Sequence, residues 1–574
     1  MLSTKSLPLL AKIWAVILSV VLISLSYAYV SSVDTFELRN HLARWTVLSL
    51  ELSVLIFLVS FLCAFKDIKN IFLQISKYSR LTFVILIILG SILVAFVTPR
   101  TNRIFFDEHI YENIAQGIAF TGKAFMCNEG EAEYGEYKPF VNEYNKQPNG
   151  HPFFISLFFK IFGAHEWVAH LANNVGFIIA AIAVFGIVLL AFNSEKAALF
   201  AMAFYIMTPM AVIWSNTVSA EPSAAAFSTL AIFSTFFFLK KKSTASLFLM
   251  VASLTFAIQF RPELILLPIP VFLIIVINNP SELTKTKNYW AVLLFLIIAM
   301  PEFFHLFAVR GEGWGSSGKK FGIDILFKNI KVNGPFYFRN IRYPLIFSIF
   351  AIFGLLKTEC WKKKFPLFIW FLMSWGIFLL FYAGSYNYGA DVRFSLMSAP
   401  PIAIFAGLGA WYLIKFASSF INQRLLTFSF IIIIFMLWSK FLPLIRAESF
   451  EAADARFDVK FARELADLVP PDSIVLTHNP NMWLLWGKNA AQASVATSNR
   501  VHLENDFFNR YHGGVYYHHN FWCNVPDPGQ NRFGEAIRKN YKLELIKEYN
   551  ARRFRYALYR VHLKSNSKEK KQND

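Results

Sequence analysis

Charge is what this sequence lacks. Only 16% of its 574 residues are charged, where an ordinary soluble protein carries roughly a quarter, and 56% are hydrophobic. That balance excludes a disordered chain and argues against a water-soluble globule. Acid is scarcer still, with 37 Asp and Glu against 56 Lys and Arg. The resulting net charge of +19 does not describe a nucleic-acid-binding face, because the basic residues gather in short loops between apolar runs, as the positive-inside rule demands. Internal repeats and long low-complexity segments are also absent, which excludes a repeat array. Cysteine is limited to four residues.

What is present is apolar length. The mean hydropathy is +0.44, and 63 Phe, 22 Tyr and 14 Trp supply the aromatic excess common in proteins that cross bilayers. The N-terminal apolar run from Leu9 to about Val30 exceeds the ~7–15 residues of a signal-peptide core and reads as a retained helix. Runs of spanning character follow near 46–65, 81–98, 167–192, 197–213, 222–239, 244–260, 264–278, 289–309, 344–356, 366–384, 395–415 and 425–442. The expected fold class is a polytopic α-helical membrane protein of about thirteen spans, with 153–162 as a surface-lying amphipathic helix. The loops 66–80, 240–242 and 357–364 are rich in Lys and Arg and fall on one side, the cytoplasm. The loop 99–152, carrying Glu129, Glu131, Glu133, Glu136 and Glu143, falls on the other. The tail after Pro443 also lies outside and reads as a small α/β domain, with a helix over 452–468, strand-like runs at 473–477, 492–497, 514–519, 542–548 and 554–561, and helices over 482–490 and 533–540. The expected organisation is 1–80 (two additional N-terminal helices), 81–442 (a membrane catalytic region) and 443–574 (an extracytoplasmic domain).

Five polar features converge on the outer side of this topology: Asp107-Glu108, His151-Pro152, Glu221-Pro222, Arg261-Pro262-Glu263 and Asp391-Val392-Arg393. Carboxylates at the mouth of a membrane span are costly and so are functional candidates. Any one of the five also fits a helix cap or a snorkelling charge. Cys127 and Cys523 are the two cysteines expected outside, where a disulfide persists, and they form a candidate bridge between the first outer loop and the tail. His165-Glu166-Trp167-Val168-Ala169-His170 places its histidines five apart, not the four a zinc-protease helix needs. The run from Tyr511 to His519 reads as a strand with polar edge residues, with metal binding as the alternative, and Trp483 and Trp486 read as core residues, with stacking on a sugar as the alternative.

In this order the motifs resemble the polytopic glycosyltransferases of the GT-C superfamily, in the branch of the protein O-mannosyltransferases and the lipid A aminoarabinose transferase. The matching segments are FFDEHIYENIAQGIAFTG (105–122), HPFFISLFFKIFG (151–163), SAEPSAAAF (219–227), FRPELILLPIP (260–270) and GADVRFSLMSAPP (389–401). Two departures stand out. His170 occupies the place where relatives carry an arginine, and two additional spans precede the acidic loop. The resemblance implies transfer of a sugar from a polyprenyl-phosphate carrier to an acceptor hydroxyl outside a bacterial inner membrane. The acceptor is a glycan, lipid or protein, and membrane lipids surround the enzyme. It implies Asp107 as general base with Glu108 beside it, an inverting displacement, Arg261, Arg393 and His170 on the donor phosphate, and His151, Glu221, Glu263 and Asp391 positioning sugar or acceptor. No metal site is defined, and a divalent ion stays open. The rival classes are a transporter or flippase for a lipid-linked glycan, expected to hold its polar groups near the midplane, and an inactive GT-C-like scaffold.

Overall fold

The computed structural model describes residues 6–103, 107–312, 318–357, 359–386, 391–451, 453–524 and 528–564. Phe105 and Phe106 of the acidic motif, and Gly389 and Ala390 of the Asp-Val-Arg motif, lie outside them. The chain forms two compact units. One comprises 1–100, 146–154 and 170–450, and the other 101–145, 155–169 and 451–574.

The first unit is helical. Among the described residues nine helices are long and apolar enough to cross a membrane: Pro8–Ser32, Thr35–Leu73, Lys77–Val97, Glu166–Phe192, Ala220–Lys241, Thr286–Ala308, Trp361–Leu380, Val392–Ala417 and Gln423–Glu448. Shorter apolar helices cover Gly150–Phe162, Thr244–Ala257, Pro262–Asn278 and Leu345–Leu356. The run expected at 197–213 is two pieces, Glu195–Ile206 and Pro209–Trp214. Pro209 lacks the N–H that a continuous helix needs, and twelve helical residues rise only about 18 Å against a hydrocarbon core of about 30 Å. The helices Ala220–Lys241 and Val392–Ala417 are mostly buried, whereas Pro8–Ser32 exposes Leu9, Ile13, Trp14, Val20 and Leu25. A continuous apolar exterior of this extent is unsustainable in water and ordinary in lipid.

Two helices of this unit meet at glycine. A Cβ on Gly354 would lie 1.9 Å from the Phe405 carbonyl oxygen, and one on Gly409 the same distance from that of Phe350. Small residues let membrane helices approach backbone to backbone, where dispersion contacts replace the hydrophobic drive that lipid does not supply.

The second unit is built on a seven-stranded sheet. Its strands are β1 (Met126–Glu131), β2 (Lys138–Glu143), β3 (Ser473–Thr477), β4 (Asn489–Gln492), β5 (Gly514–His519), β6 (Tyr541–Ala551) and β7 (Phe554–Leu563), in the order β2-β1-β4-β3-β5-β7-β6. β3 runs parallel to β4 and β5, and the other pairings are antiparallel. The acidic loop thus contributes two strands to the sheet of the tail. β4 lies where sequence reasoning placed the end of a helix. The helix stops at Pro480–Leu485, and Gly487 at φ 75° turns the chain, a conformation that glycine adopts without steric cost.

Period-two alternation gives the sheet two cores. Val475, Ala490, Tyr516 and Leu558 pack on one face with Cys127, Leu465 and Trp483. Ile474, Leu476, Val515, Tyr517 and Val561 pack on the other, where Cys523 joins them. Both cysteines are free thiols, which corrects the expected bridge. Cys127 Sγ bonds the Glu129 carbonyl at 3.0 Å, while Cys523 Sγ lies 3.3 Å from Tyr517 Oη and 3.6 Å from His478 Nδ1. The sheet separates the two sulfurs, and a disulfide requires Cβ atoms about 3.8 Å apart.

Candidate active site

In the helical unit the sequence itself turns three segments toward one another. The loop 215–219 precedes the helix Ala220–Lys241, and Pro222 sits in that helix's first turn, where no intrahelical N–H bond is lost. Arg261 ends the turn after Thr244–Ala257 in extended conformation, φ −148° and ψ 144°, as the residue before a proline must. Arg393 stands on the short helix Asp391–Ser398. The side chain of Asp391 lies outside the described residues.

These segments assemble a buried charge network. Glu221, 1% exposed, accepts from Arg261 Nη1 and Arg393 Nε through the same oxygen, each at 2.9 Å. Arg261 Nε also donates to Glu263 at 3.0 Å. Both guanidiniums lie over Phe394, at 5.5 and 4.7 Å, and Phe378 stacks on that ring at 4.6 Å. Two guanidiniums this close repel, and buried charge survives only when paired and hydrogen-bonded. Glu221 therefore holds two planar cations side by side in fixed orientation. Arginine retains its charge under burial and forks onto phosphate oxygens.

Beside this network is a pocket of about 400 Å³, lined by Arg261, Glu263, Arg310, Lys320 and the apolar side chains of Ile265, Leu266, Leu306, Ile377, Phe378 and Phe381. The Arg310 guanidinium rests 3.8 Å from the centre of the Phe307 ring. Lys320 Nζ donates to the Arg310 carbonyl at 3.2 Å. Cationic groups together with hydrocarbon walls suit an amphiphilic anion.

His151 and His170 have a different setting. His151 Nε2 donates to the Val218 carbonyl at 2.8 Å, and its Nδ1 lies 3.2 Å from Ser223 Oγ. Burial pushes its pKa down to about 4, so the ring is neutral. His170 Nδ1 donates to the Asn216 carbonyl at 2.9 Å. A neutral imidazole with its proton on that nitrogen has no second N–H for an anion. Asn173 and Asn174 donate to the carbonyls of Ser215, Thr217 and Ser219. The two histidines thus brace the 215–219 loop that delivers Glu221.

Asp107 and Glu108 begin the helix Asp107–Thr121 in the sheet-containing unit. Asp107 is half-buried, and Glu108 and Glu112 are both 0% exposed. The spacing from Glu108 to Glu112 is one turn, so these two share a face, while Asp107 points about 100° away. Burial, reinforced by Glu166 and Glu108, raises the Glu112 pKa well above the carboxylate range. The helix is docked by amides. Asn113 Oδ1 accepts from Cys127 N at 2.7 Å and from Asn481 Nδ2 at 3.0 Å, and His109 Nδ1 lies 3.0 Å from Asn479 Nδ2. Of the residues named from sequence, the structure gathers Glu221, Arg261, Glu263 and Arg393 in one ion-pair network. Glu112, Arg310 and Phe394 were not anticipated. Only Glu112 carried a signal, its one-turn spacing from Glu108.

Residues 146–305 match the family model of the dolichyl-phosphate-mannose-protein mannosyltransferases. Among solved structures, ArnT from Cupriavidus metallidurans bound to undecaprenyl phosphate is similar with a TM-score of 0.52. The two are 13% identical over 84% of this chain and 98% of that one. The apo form of the same protein gives 0.53 at 12% identity, over 83% and 97%. A search of curated protein sequences found no match. The family match is confined to residues 146–305, and the likeness to ArnT, at 12–13% identity, is one of fold.

Proposed function

We propose that this protein takes a sugar from a polyprenyl-phosphate carrier and gives it to an acceptor hydroxyl on the outer face of a bacterial inner membrane. The observation that carries the reading is the arginine pair on Glu221, adjoining an apolar-walled pocket that also presents Arg310 and Lys320. An isoprenoid phosphate has this same polarity, an anionic head on a hydrocarbon tail. The similar ArnT structure was determined with undecaprenyl phosphate bound.

The chemistry follows from charge. The donor phosphodiester carries one negative charge. The acceptor oxygen attacks the anomeric carbon, the bond from that carbon to the phosphate oxygen breaks, and the electron pair leaves with the phosphate, which becomes a dianion. Arg261 and Arg393 stabilise that second charge as it develops. The hydroxyl proton passes to Asp107, the carboxylate of its pair with access to solvent, and a single displacement of this kind inverts the anomeric centre. Glu221 and Glu263 orient the arginines, and His151 holds the loop. Segment 1–80 supplies two additional membrane helices, 81–442 the catalytic region, and 443–574 the extracytoplasmic domain.

Purified protein in lipid nanodiscs, supplied with a radiolabelled polyprenyl-phosphate sugar and an extract of cell-envelope acceptors, tests this directly. Wild type is expected to move label to acceptor. Arg393→Ala is expected to lose about 10²-fold or more of that activity, the scale of removing one transition-state donor. Equal activity in both proteins would remove the phosphate assignment.

A further inference from the structure

The sheet-containing unit has a pocket that the reaction chemistry above does not use. It encloses about 670 Å³ between the end of helix Asp107–Thr121, the turn joining β1 to β2, the segment 163–167 and the helix Pro480–Leu485. This is the size of a small-ligand site. Three of its lining residues form a triangle of contacts. Trp486 Nε1 donates to one oxygen of Glu166 at 2.7 Å, and Arg463 pairs with the other. The Arg463 guanidinium lies 4.8 Å from the centre of the Trp486 ring. The indole and the guanidinium are thus both held by the Glu166 carboxylate, which reduces the ordering a ligand must impose.

The rim adds a second signal. Tyr134 and Gly135 both line the pocket and both have left-handed backbone, at φ 58° and 77°. Tyr134 is 85% exposed. Left-handed conformation is disfavoured for tyrosine, and such outliers concentrate where a side chain is aimed at a ligand. Phe120, 54% exposed, stands on the same rim with its ring 6.2 Å from that of Tyr137. Within the wall, Trp486 is half-buried, whereas its neighbour Trp483 is fully buried in the core.

Aromatic faces interleaved with a carboxylate, an amide and a guanidinium suit a sugar ring. The C–H face of a pyranose packs on aromatic carbon, and its hydroxyls both donate and accept. An isoprenoid or acyl chain would need aliphatic walls like those beside Arg261, and here the lining is mostly polar or aromatic. The acids Glu136, Glu166 and Asp467 slightly outnumber Arg463 and Lys488 among the lining residues, so the pocket does not select an anion.

We propose that this pocket is a saccharide subsite that seats a neutral sugar unit of the acceptor. Trp486 and Tyr134 supply ring faces, and Glu166, Gln116 and Arg463 bond the hydroxyls. The acceptor role rests on the glycosyltransferase reading above. The saccharide chemistry rests on the pocket alone. The test is saturation-transfer NMR on the full-length protein in nanodiscs, without donor, against mannose, glucose, galactose and N-acetylglucosamine at millimolar concentration. At least one sugar is expected to bind wild type, and its dissociation constant is expected to rise about tenfold, or 1.4 kcal/mol, in both Tyr134→Ala and Glu166→Gln. Tyr134 is exposed, so its variant separates lost binding from lost folding, and thermal midpoints of both variants check that separation. Transfer assayed on the same samples distinguishes the two readings. Saccharide binding without transfer supports the pocket and counts against the transferase. Transfer without any saccharide binding, or binding unchanged in both variants, overturns the pocket.

Discussion

Glu221 is the residue on which the geometry of the arginine pair depends. It accepts from two arginines through one oxygen while fully buried. Removing one partner of such a network costs about 3–5 kcal/mol because it leaves buried charge uncompensated. Glu221→Gln keeps the shape and loses the charge, so both the thermal midpoint and donor binding are expected to fall, as scanning calorimetry and lipid-phosphate titration would show. Unchanged donor affinity in a folded variant would mean that the arginines are positioned by other means. The sequence displayed Glu221, Arg261, Glu263 and Arg393 because each borders an apolar run, where charge is conspicuous. His170 was assigned to the phosphate because it stands where the resembled family carries an arginine, and nothing in the residue order shows that its proton is engaged by the Asn216 carbonyl.

Two buried histidines of the sheet carry a pH signature. Burial, with the positive field of neighbouring groups, holds His518 down to about 3 and His519 to about 4, whereas an unfolded imidazole titrates near 6.5. Between those values the unfolded chain binds a proton that the folded chain refuses. The histidines' effect on stability is therefore flat above about pH 6.5 and becomes increasingly unfavourable as pH falls toward 4. His518→Gln is expected to lose less stability than wild type across that window in detergent-solubilised melting curves. Identical pH dependence in the two proteins would contradict a neutral buried ring.

At the scale of elements, close packing decides more than propensity. Replacing glycine by alanine inside a helix favours the helix by about 1 kcal/mol. At Gly409 the new Cβ would meet the Phe350 carbonyl at 1.9 Å, against a backbone that cannot rotate away, and overpacking costs about 1–3 kcal/mol or more. Gly409→Ala is therefore expected to lower the melting temperature, and a rise would show that the two helices can part. The helices were legible from apolar length, and β3, β5, β6 and β7 from runs of β-branched and aromatic residues. β1, β2 and β4 were not. Met-Cys-Asn-Glu-Gly-Glu and Asn-Ala-Ala-Gln have little strand character of their own and become strands because neighbours complete their hydrogen bonds. The same sheet keeps Cys127 and Cys523 apart. Mass spectrometry after alkylation of denatured, unreduced protein is expected to find both labelled, and an unlabelled pair that becomes reactive on reduction would restore the bridge.

At the scale of the whole molecule, the apolar exterior of the helical unit and the fold it shares with ArnT agree on a membrane protein. Composition and loop charge were enough to indicate this class. Long-range assembly was not legible: residues 101–145 and 155–169 join the tail in one compact unit, because strand pairing across hundreds of residues leaves no local pattern. The claim that unites these scales is sugar transfer with Asp107 as the base and the arginine pair as the phosphate clamp. It is tested most directly by measuring transfer and donor affinity together in Asp107→Asn. A general base contributes about 10²–10⁴-fold, so transfer should fall by that factor while the dissociation constant for the polyprenyl-phosphate sugar stays within about a factor of two, less than 0.5 kcal/mol. Full transfer activity in a folded Asp107→Asn protein would contradict the account.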